Sequence, residues 1–146
     1  MNINNNSALI DITAQSLKLC LPKRPSDSHK GSFGSALFIG GSRRYTGAAL
    51  LAGKACLRSG IGYLSMAIPA SLHSSLSSQM PEAIWHTLPE WDGKIAANGA
   101  ELLKDAVLGK TAILIGPGLT VSESSMVFAE TFFVETITDS LPTALI

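Results

Sequence analysis

Apolar residues in this chain fall in short blocks separated by glycine, proline and small polar residues, and the blocks differ in period. Ala36-Leu37-Phe38-Ile39 is apolar at four successive positions and is closed by Gly40-Gly41. A strand with one wet face would alternate, so this run reads as a strand buried on both faces, as in a parallel sheet. Residues 47–59 have a helical period, with Ala48, Leu51, Ala52 and Ala55 expected on one face and Leu50, Lys54 and Leu57 on another. Gly60-Ile61-Gly62 ends that segment, and Tyr63 to Ile68 gives a second strand stopped by Pro69. Strand, glycine turn, small-residue helix and strand make a βαβ unit, whose right-handed crossover leaves the two strands parallel.

Downstream, Leu72, Leu76 and Met80 recur at i, i+4 and i+8, which predicts a short helix over 71–80 ended by Pro81. Residues 83–88 read as a third, shorter strand. Residues 89–99, with Pro89, Gly93 and Gly99, read as a loop, and 100–108 as a helix closed by Gly109. Thr111 to Ile115 is the clearest buried strand, followed by Gly116-Pro117-Gly118. A long amphipathic helix is expected over 121–138, capped by Ser122 or Ser124, and the apolar run 143–146 is expected as a strand within or beside the sheet. Upstream, Asp11 or Thr13 caps a short helix running to Cys20, Pro22 and Pro25 interrupt regular structure, and 26–34 is a polar loop. The expected organisation is an N-terminal helix or arm over 1–21 and one α/β core over 22–146.

Composition sharpens this picture. Of 146 residues, 46% are hydrophobic and only 15% charged, against about 25% charged in a typical soluble domain. So oily a chain, ending on an apolar run, is expected to be a truncated piece of a larger domain that self-associates or needs its missing half. Eleven Lys and Arg balance eleven Asp and Glu, which gives no electrostatic reason to expect nucleic acid or an anionic membrane as partner. Cys20 and Cys56 make neither a disulfide scaffold nor a CxxC pair. The Asn-rich start lacks the order of a signal peptide, and no stretch of 18 apolar residues would span a membrane. A cytoplasmic placement is expected.

Two glycine segments each follow an apolar strand and precede a helix, the position at which open α/β sheets bind ligands. In the first, Gly40, Gly41 and Gly47 let backbone approach a ligand, Ser42 offers a hydroxyl, Thr46 could cap the helix, and the N–H groups of residues 47–49 are free to meet an anion. In the second, Pro117 is fixed between Gly116 and Gly118. Tight βα turns would look the same, but two such loops at one sheet edge favour a small-molecule cleft between them. Neither segment is a dinucleotide GxGxxG, and Gly47 to Lys54 departs from the P-loop in spacing and in having Ala55 where Ser or Thr is required. His29 and Lys30 sit in the polar loop as a switchable donor and a mobile counter-charge, or as plain surface residues. Arg43-Arg44, beside the first glycine loop, is either solvated or faces a phosphate. No His, Cys or carboxylate spacing points to a metal site, and no nucleophilic triad or carboxylate pair has supporting context.

Taken together, His29-Lys30-Gly31-Ser32-Phe33-Gly34, Ile39-Gly40-Gly41-Ser42, Tyr45-Thr46-Gly47-Ala48-Ala49, Arg58-Ser59-Gly60-Ile61-Gly62, Pro81-Glu82-Ala83 and Gly116-Pro117-Gly118-Leu119 resemble the opening of the NAD(P)H-hydrate dehydratases. The resemblance runs from about Pro22 to Ile146. It implies a ribokinase-like fold, a three-layer α/β/α arrangement around a mostly parallel sheet. It also implies a lyase that restores hydrated NADH or NADPH with ADP or ATP as co-substrate and Mg2+, in a protein that is homo-oligomeric when whole. Phosphorylation turns the hydroxyl into a good leaving group, so the site must hold hydrate and nucleotide together.

By the same resemblance Ala48 and Gly118 contact the hydrated substrate. His29, Lys30, Gly41, Ser42, Gly47 and Gly116 are expected to shape its cleft. The family usually has a further glycine where Thr120 stands. Its later Asp-Ala-Asp segment, His-Pro-Gly-Glu-like loop and Gly-Thr-Gly-Asp motif with the catalytic aspartate have no counterpart in residues 1–146. The resemblance therefore implies no catalytic residue in this chain and no turnover by it alone. The alternatives are a small-molecule kinase of the same fold and a non-catalytic nucleotide-binding module.

Overall fold

The computed structural model describes residues 11–21, 23–136 and 144–145, and a five-stranded parallel sheet runs through its middle. The strands are β1 (Ser35–Ile39), β2 (Tyr63–Pro69), β3 (Ile84–Leu88), β6 (Ala112–Ile115) and β7 (Ala144–Leu145), in the order β3-β2-β1-β6-β7. Between β3 and β6 lies a small antiparallel hairpin of β4 (Glu90–Trp91) and β5 (Lys94–Ile95). Before the sheet, α1 (Ala14–Cys20) starts at Thr13, whose hydroxyl accepts from the Ser16 N–H at 3.1 Å. The crossovers are α2 (Thr46–Ser59), α3 (His73–Ser77, entered through a 3-10 turn at Ala70–Leu72), α4 (Lys104–Val107, likewise entered through Glu101–Leu103) and α5 (Glu123–Thr131).

Alternation along the strands divides the core into two layers. Phe38 of β1 and Leu64, Met66 and Ile68 of β2 point toward α2 and α3, where they meet Ala49, Leu72, Leu76 and Met80. Leu37, Ile39, Ala67 and Ile113 point the other way, onto Leu103 and Val107 around α4 and onto Phe128 of α5. Phe128 stacks on Phe132 with ring centroids 6.1 Å apart. Both faces of β1 are thus covered, as its unbroken apolar run requires. Each such side chain contributes about 1.5–3 kcal/mol when fully buried.

Several elements differ from the pattern-based expectation. In α2 the buried positions are Ala49 and Gly53, while Leu51 is 71% exposed and Ala55 is exposed. A helix with apolar residues around much of its girth carries little directional signal, and the tight fit is made by the smallest residues. A Cβ on Gly53 would stand 2.7 Å from Met80 Sδ. Residues 89–99 are not simply a loop: Asp92 (φ +50°) and Gly93 (φ +70°) turn the hairpin. Asp-Gly is favoured where both central residues need positive φ. The segment 100–108 is a 3-10 turn followed by one turn of α-helix. The helix expected over 121–138 is α-helical only to Thr131 and continues as a π-helix over Phe132–Thr136; positions 137 and 138 lie outside the described residues. Ser122 is its cap, accepting from the Ser125 N–H at 3.2 Å. Ala144 and Leu145 pair in parallel with Ala112 and Ile113, which puts the last apolar run on the sheet beside β6.

Candidate functional site

The strand order reverses between β1 and β6. From β1 the chain passes through α2 to β2 on one side; from β6 it passes through α5 to β7 on the other. The two helices also leave on opposite faces of the sheet, so the loops after β1 and β6 part and leave a crevice at the carboxyl ends of the strands. That is the general ligand position in open α/β sheets.

Both glycine segments meet there. The Gly41 N–H donates to the Pro117 carbonyl at 2.9 Å, and the Gly116 N–H donates to the Ile39 carbonyl at 3.1 Å. Contact is closest at Gly118, which has φ +76°. A Cβ there would lie 2.9 Å from the Tyr45 carbonyl oxygen, 3.0 Å from Ala48 Cβ and 3.2 Å from Gly41 Cα. Gly118 therefore fixes the spacing of the two loops, and the space beside its Cα is filled by protein. Gly116 and Gly47 differ, since a Cβ on either would meet nothing within 4 Å.

The loops are also tied by side chains. Ser42, 1% exposed, and Thr120 share a hydroxyl–hydroxyl hydrogen bond of 2.8 Å. Thr120 has φ +57°, the left-handed backbone that a glycine adopts freely, in keeping with the glycine that the sequence resemblance leads one to expect at this place. Its carbonyl accepts from Ser125 Oγ at 2.8 Å, joining the loop to α5.

Three compartments share this edge. The first, about 400 Å³, is lined by Tyr45, Ala48, Gly116, Gly118, Leu119, Thr120 and Val121. A second, about 320 Å³ and largely apolar, runs from Leu119 and Val121 along α5 to Met126 and Ala129. A third, about 500 Å³, lies between Ser42-Arg43-Arg44, the tip of the β4–β5 hairpin and Thr120. Val121 lines all three and is 88% exposed. The lining of the first compartment contains no carboxylate, imidazole or amine. It can bind and orient an uncharged ring, but it has no carboxylate, imidazole or amine to move a proton.

Of the residues singled out in the sequence, Gly41, Ser42, Gly47, Ala48, Gly116 and Gly118 come together at this edge. Thr46 does not cap α2: it is the first helical residue, and its hydroxyl donates to the Ser42 and Arg43 carbonyls at 3.4 and 3.3 Å. His29 and Lys30 are not brought to the cleft. They start the 3-10 turn Lys30–Phe33 that enters β1, with Lys30 Nζ 4.9 Å from the ring centre of Tyr63 at the start of β2. The length of β1, about 17 Å for five residues, separates them from Gly41. The hairpin, with Asp92, Gly93 and Lys94, is the part of the site that the pattern reading missed; the Asp92-Gly93 pair was its signal. Among the described residues no group of three or more His, Cys, Asp or Glu side chains could hold a metal ion. The donors of the described residues do not fit a protein-held Mg2+. No helix among the described residues is long and apolar enough to cross a membrane.

Comparison with known proteins gives a family and a fold. A family model described as NAD(P)H-hydrate dehydratase matches residues 36–141. The ADP-dependent (S)-NAD(P)H-hydrate dehydratase of Staphylococcus aureus is 40% identical over 111 residues, covering 75% of this chain and 37% of the relative. The bifunctional NAD(P)H-hydrate repair enzyme of Thermofilum pendens is 37% identical over 107 residues, covering 73% of this chain and 20% of that protein. Among solved structures, the ADP/ATP-dependent NAD(P)H-hydrate dehydratase of Bacillus subtilis, co-crystallised with ATP/Mg2+, superposes with a TM-score of 0.63. It is 35% identical, over 81% of this chain and 40% of its own. A ribokinase-like superfamily protein of Enterococcus faecalis gives 0.65 at 31% identity, over 77% of this chain and 36% of its own. The chain thus spans well under half the length of the relatives it matches.

Proposed function

Because the chain belongs to the NAD(P)H-hydrate dehydratase family, we propose that it forms the hydrate-binding side of an enzyme that restores hydrated NADH or NADPH at the expense of ADP or ATP. The observation that carries this reading is the meeting of two glycine loops at the reversal of strand order, where Ala48 and Gly118 pack side by side in the lining of one compartment. In the reaction, the ring hydroxyl takes the terminal phosphoryl group of the nucleotide and leaves as inorganic phosphate, while the ring loses a proton and the C=C bond forms. The role given to this chain's residues is positional. The Ala48–Gly118 compartment receives the hydrated ring, and the Ser42–Thr120 and Gly41–Pro117 hydrogen bonds hold the two walls at fixed spacing before it arrives. Preorganised walls of this kind supply orientation, which lowers the entropic part of the barrier. The nucleotide and the group that removes the ring proton are assigned to the part of the enzyme outside this chain.

Product analysis tests the reaction. The protein carrying this chain, given hydrated NADPH and ADP or ATP, is expected to return NADPH and inorganic phosphate; a stable phosphorylated alcohol would instead mark a small-molecule kinase. Occlusion tests the site. Ala48→Leu fills the first compartment from its wall, and Val121→Trp covers all three from an 88% exposed position away from the core. Both are expected to weaken hydrate binding, Val121→Trp at unchanged melting temperature. Full hydrate binding by both folded variants would remove the compartment from the reading.

A further inference from the structure

The third compartment carries charge that the hydrated ring does not need. Its lining includes the side chains of Arg43, Arg44 and Lys94 and the hydroxyls of Ser42 and Thr120. Lys94 Nζ stands 3.6 Å from Asp92 Oδ2, which neutralises it in part. Among the described residues neither Arg43 nor Arg44 has a carboxylate within ion-pair distance; Arg44 only lies over the Tyr45 ring, 5.5 Å from its centre. Counting Asp92, the lining has an excess of two positive charges. The arrangement is built. The Arg43 N–H donates to the Gly93 carbonyl at 2.8 Å, and a Cβ on Gly93 would stand 2.6 Å from Arg43 Cβ, so the hairpin tip is seated on Arg43, against its backbone N–H and its side chain. That contact holds Lys94 and the arginine pair on opposite walls of one cleft.

This cleft shares Thr120 and Val121 with the Ala48–Gly118 compartment, so one elongated molecule can occupy both. Its volume, about 500 Å³, falls within the ordinary range of small-molecule sites. Arginines that line a cleft and have no carboxylate partner among the described residues match a phosphate, which they can bind through paired N–H donors.

We infer that the cleft between Arg43-Arg44 and the β4–β5 hairpin is a phosphate subsite, holding a phosphate group of the same dinucleotide whose hydrated ring enters beside Ala48. This rests on the dehydratase reading for the identity of the ligand, though not for its charge. Two phosphates of such a substrate fit the chemistry: the diphosphate bridge, common to both substrates, and the 2′-phosphate, present only in the NADPH form.

The test titrates the protein carrying this chain with hydrated NADH, hydrated NADPH and inorganic pyrophosphate, in the wild type and in Arg43→Gln/Arg44→Gln. Both arginines are exposed, so the double variant is expected to keep its fold, and Lys94→Gln provides a second variant on the opposite wall. A loss of at least about tenfold in affinity, confined to hydrated NADPH, supports the subsite and assigns it to the 2′-phosphate. An equal loss for both hydrates supports it and assigns it to the diphosphate. Unchanged affinity for both hydrates overturns the subsite and leaves the dehydratase reading standing. If the wild type binds neither hydrate, the dehydratase reading fails and pyrophosphate decides alone. Binding that weakens in the variants and with added salt supports an anion site, and no binding overturns it.

Discussion

Thr120 is held in a conformation that its side chain disfavours, and the hydrogen bond to Ser42 is what the molecule gains there. Left-handed backbone at a residue with a Cβ costs about 1–2 kcal/mol. Thr120→Val keeps the branched Cβ, hence the backbone cost, and deletes only the hydroxyl. Ser42 is 1% exposed, and among the described residues its hydroxyl bonds only to Thr120, across 2.8 Å. Leaving a buried hydroxyl unpaired costs about 1–3 kcal/mol, or a fall of roughly 2–4 °C per kcal/mol in a domain of this size. Removing both partners leaves nothing unpaired, so Ser42→Ala/Thr120→Val is expected to cost clearly less than the sum of the single changes, by about 1 kcal/mol. Thr120→Gly adds a second arm. It releases the backbone cost but loosens the unfolded chain by about 0.5–1 kcal/mol. In the Ser42→Ala background it should therefore match or exceed the stability of the parent. Urea denaturation of the four-member cycle measures this. Additivity within about 0.3 kcal/mol would show that the two hydroxyls do not act as a pair and would refute the reasoning.

Gly118→Ala forces a Cβ onto the Tyr45 carbonyl and Ala48 at positive φ, so it should lower stability by at least about 2 kcal/mol in thermal denaturation; a neutral result would mean that the two loops can part freely. Gly47→Ala, where the added atom meets open space in the first turn of α2, should raise stability by about 0.5–1 kcal/mol, and a loss would indicate an unseen constraint on that turn. Burial, and secondarily the charge of Lys110, push the half-buried His86 imidazole below its ordinary 6.5. Between that depressed value and 6.5 the unfolded chain holds more protons, so stability should fall as pH drops through 6.5. A melting-temperature profile from pH 7.5 to 5 should be flatter in His86→Asn, and identical profiles would remove His86 as the cause.

How much of this was legible depended on how far each signal is local. The strands around Leu37, Met66 and Ile113 were readable because a strand covered on both faces leaves an uninterrupted apolar run. The inner face of α2 was not, because with apolar residues all round only the neighbours decide which side is buried, and they chose Ala49 and Gly53. His29 and Lys30 are near the first glycine loop in sequence, yet β1 carries the chain across the sheet between them, and nothing in the spacing says at which end of a strand a ligand sits. The positive φ of Thr120 was unreadable from its type, since branched residues avoid that region, and the glycine usual at this place pointed to the turn only indirectly. The break of the last helix into a π-helix at Phe132 has no counterpart in the amphipathic period, which continues through it.

Ala48 and the glycines of the two loops between β1 and β6 have almost nothing to remove. A survey that trims side chains to alanine would pass over Ala48 entirely, and at Gly41, Gly47, Gly116 and Gly118 it would add an atom where it means to subtract one. The sensitivity of such a site is inverted: it responds to gained volume, and the loops have no smaller neighbour in sequence space to drift toward. Every replacement of these glycines is an enlargement. At Gly118 the added atoms run into the opposite loop, at Gly47 they enter open space, and at Gly116 they enter open space but strain a backbone held at φ +123°. A saturation library scored by side-chain size would therefore separate Gly118, which spaces the loops, from Gly47, which keeps the entrance clear, two roles that a deletion scan cannot tell apart.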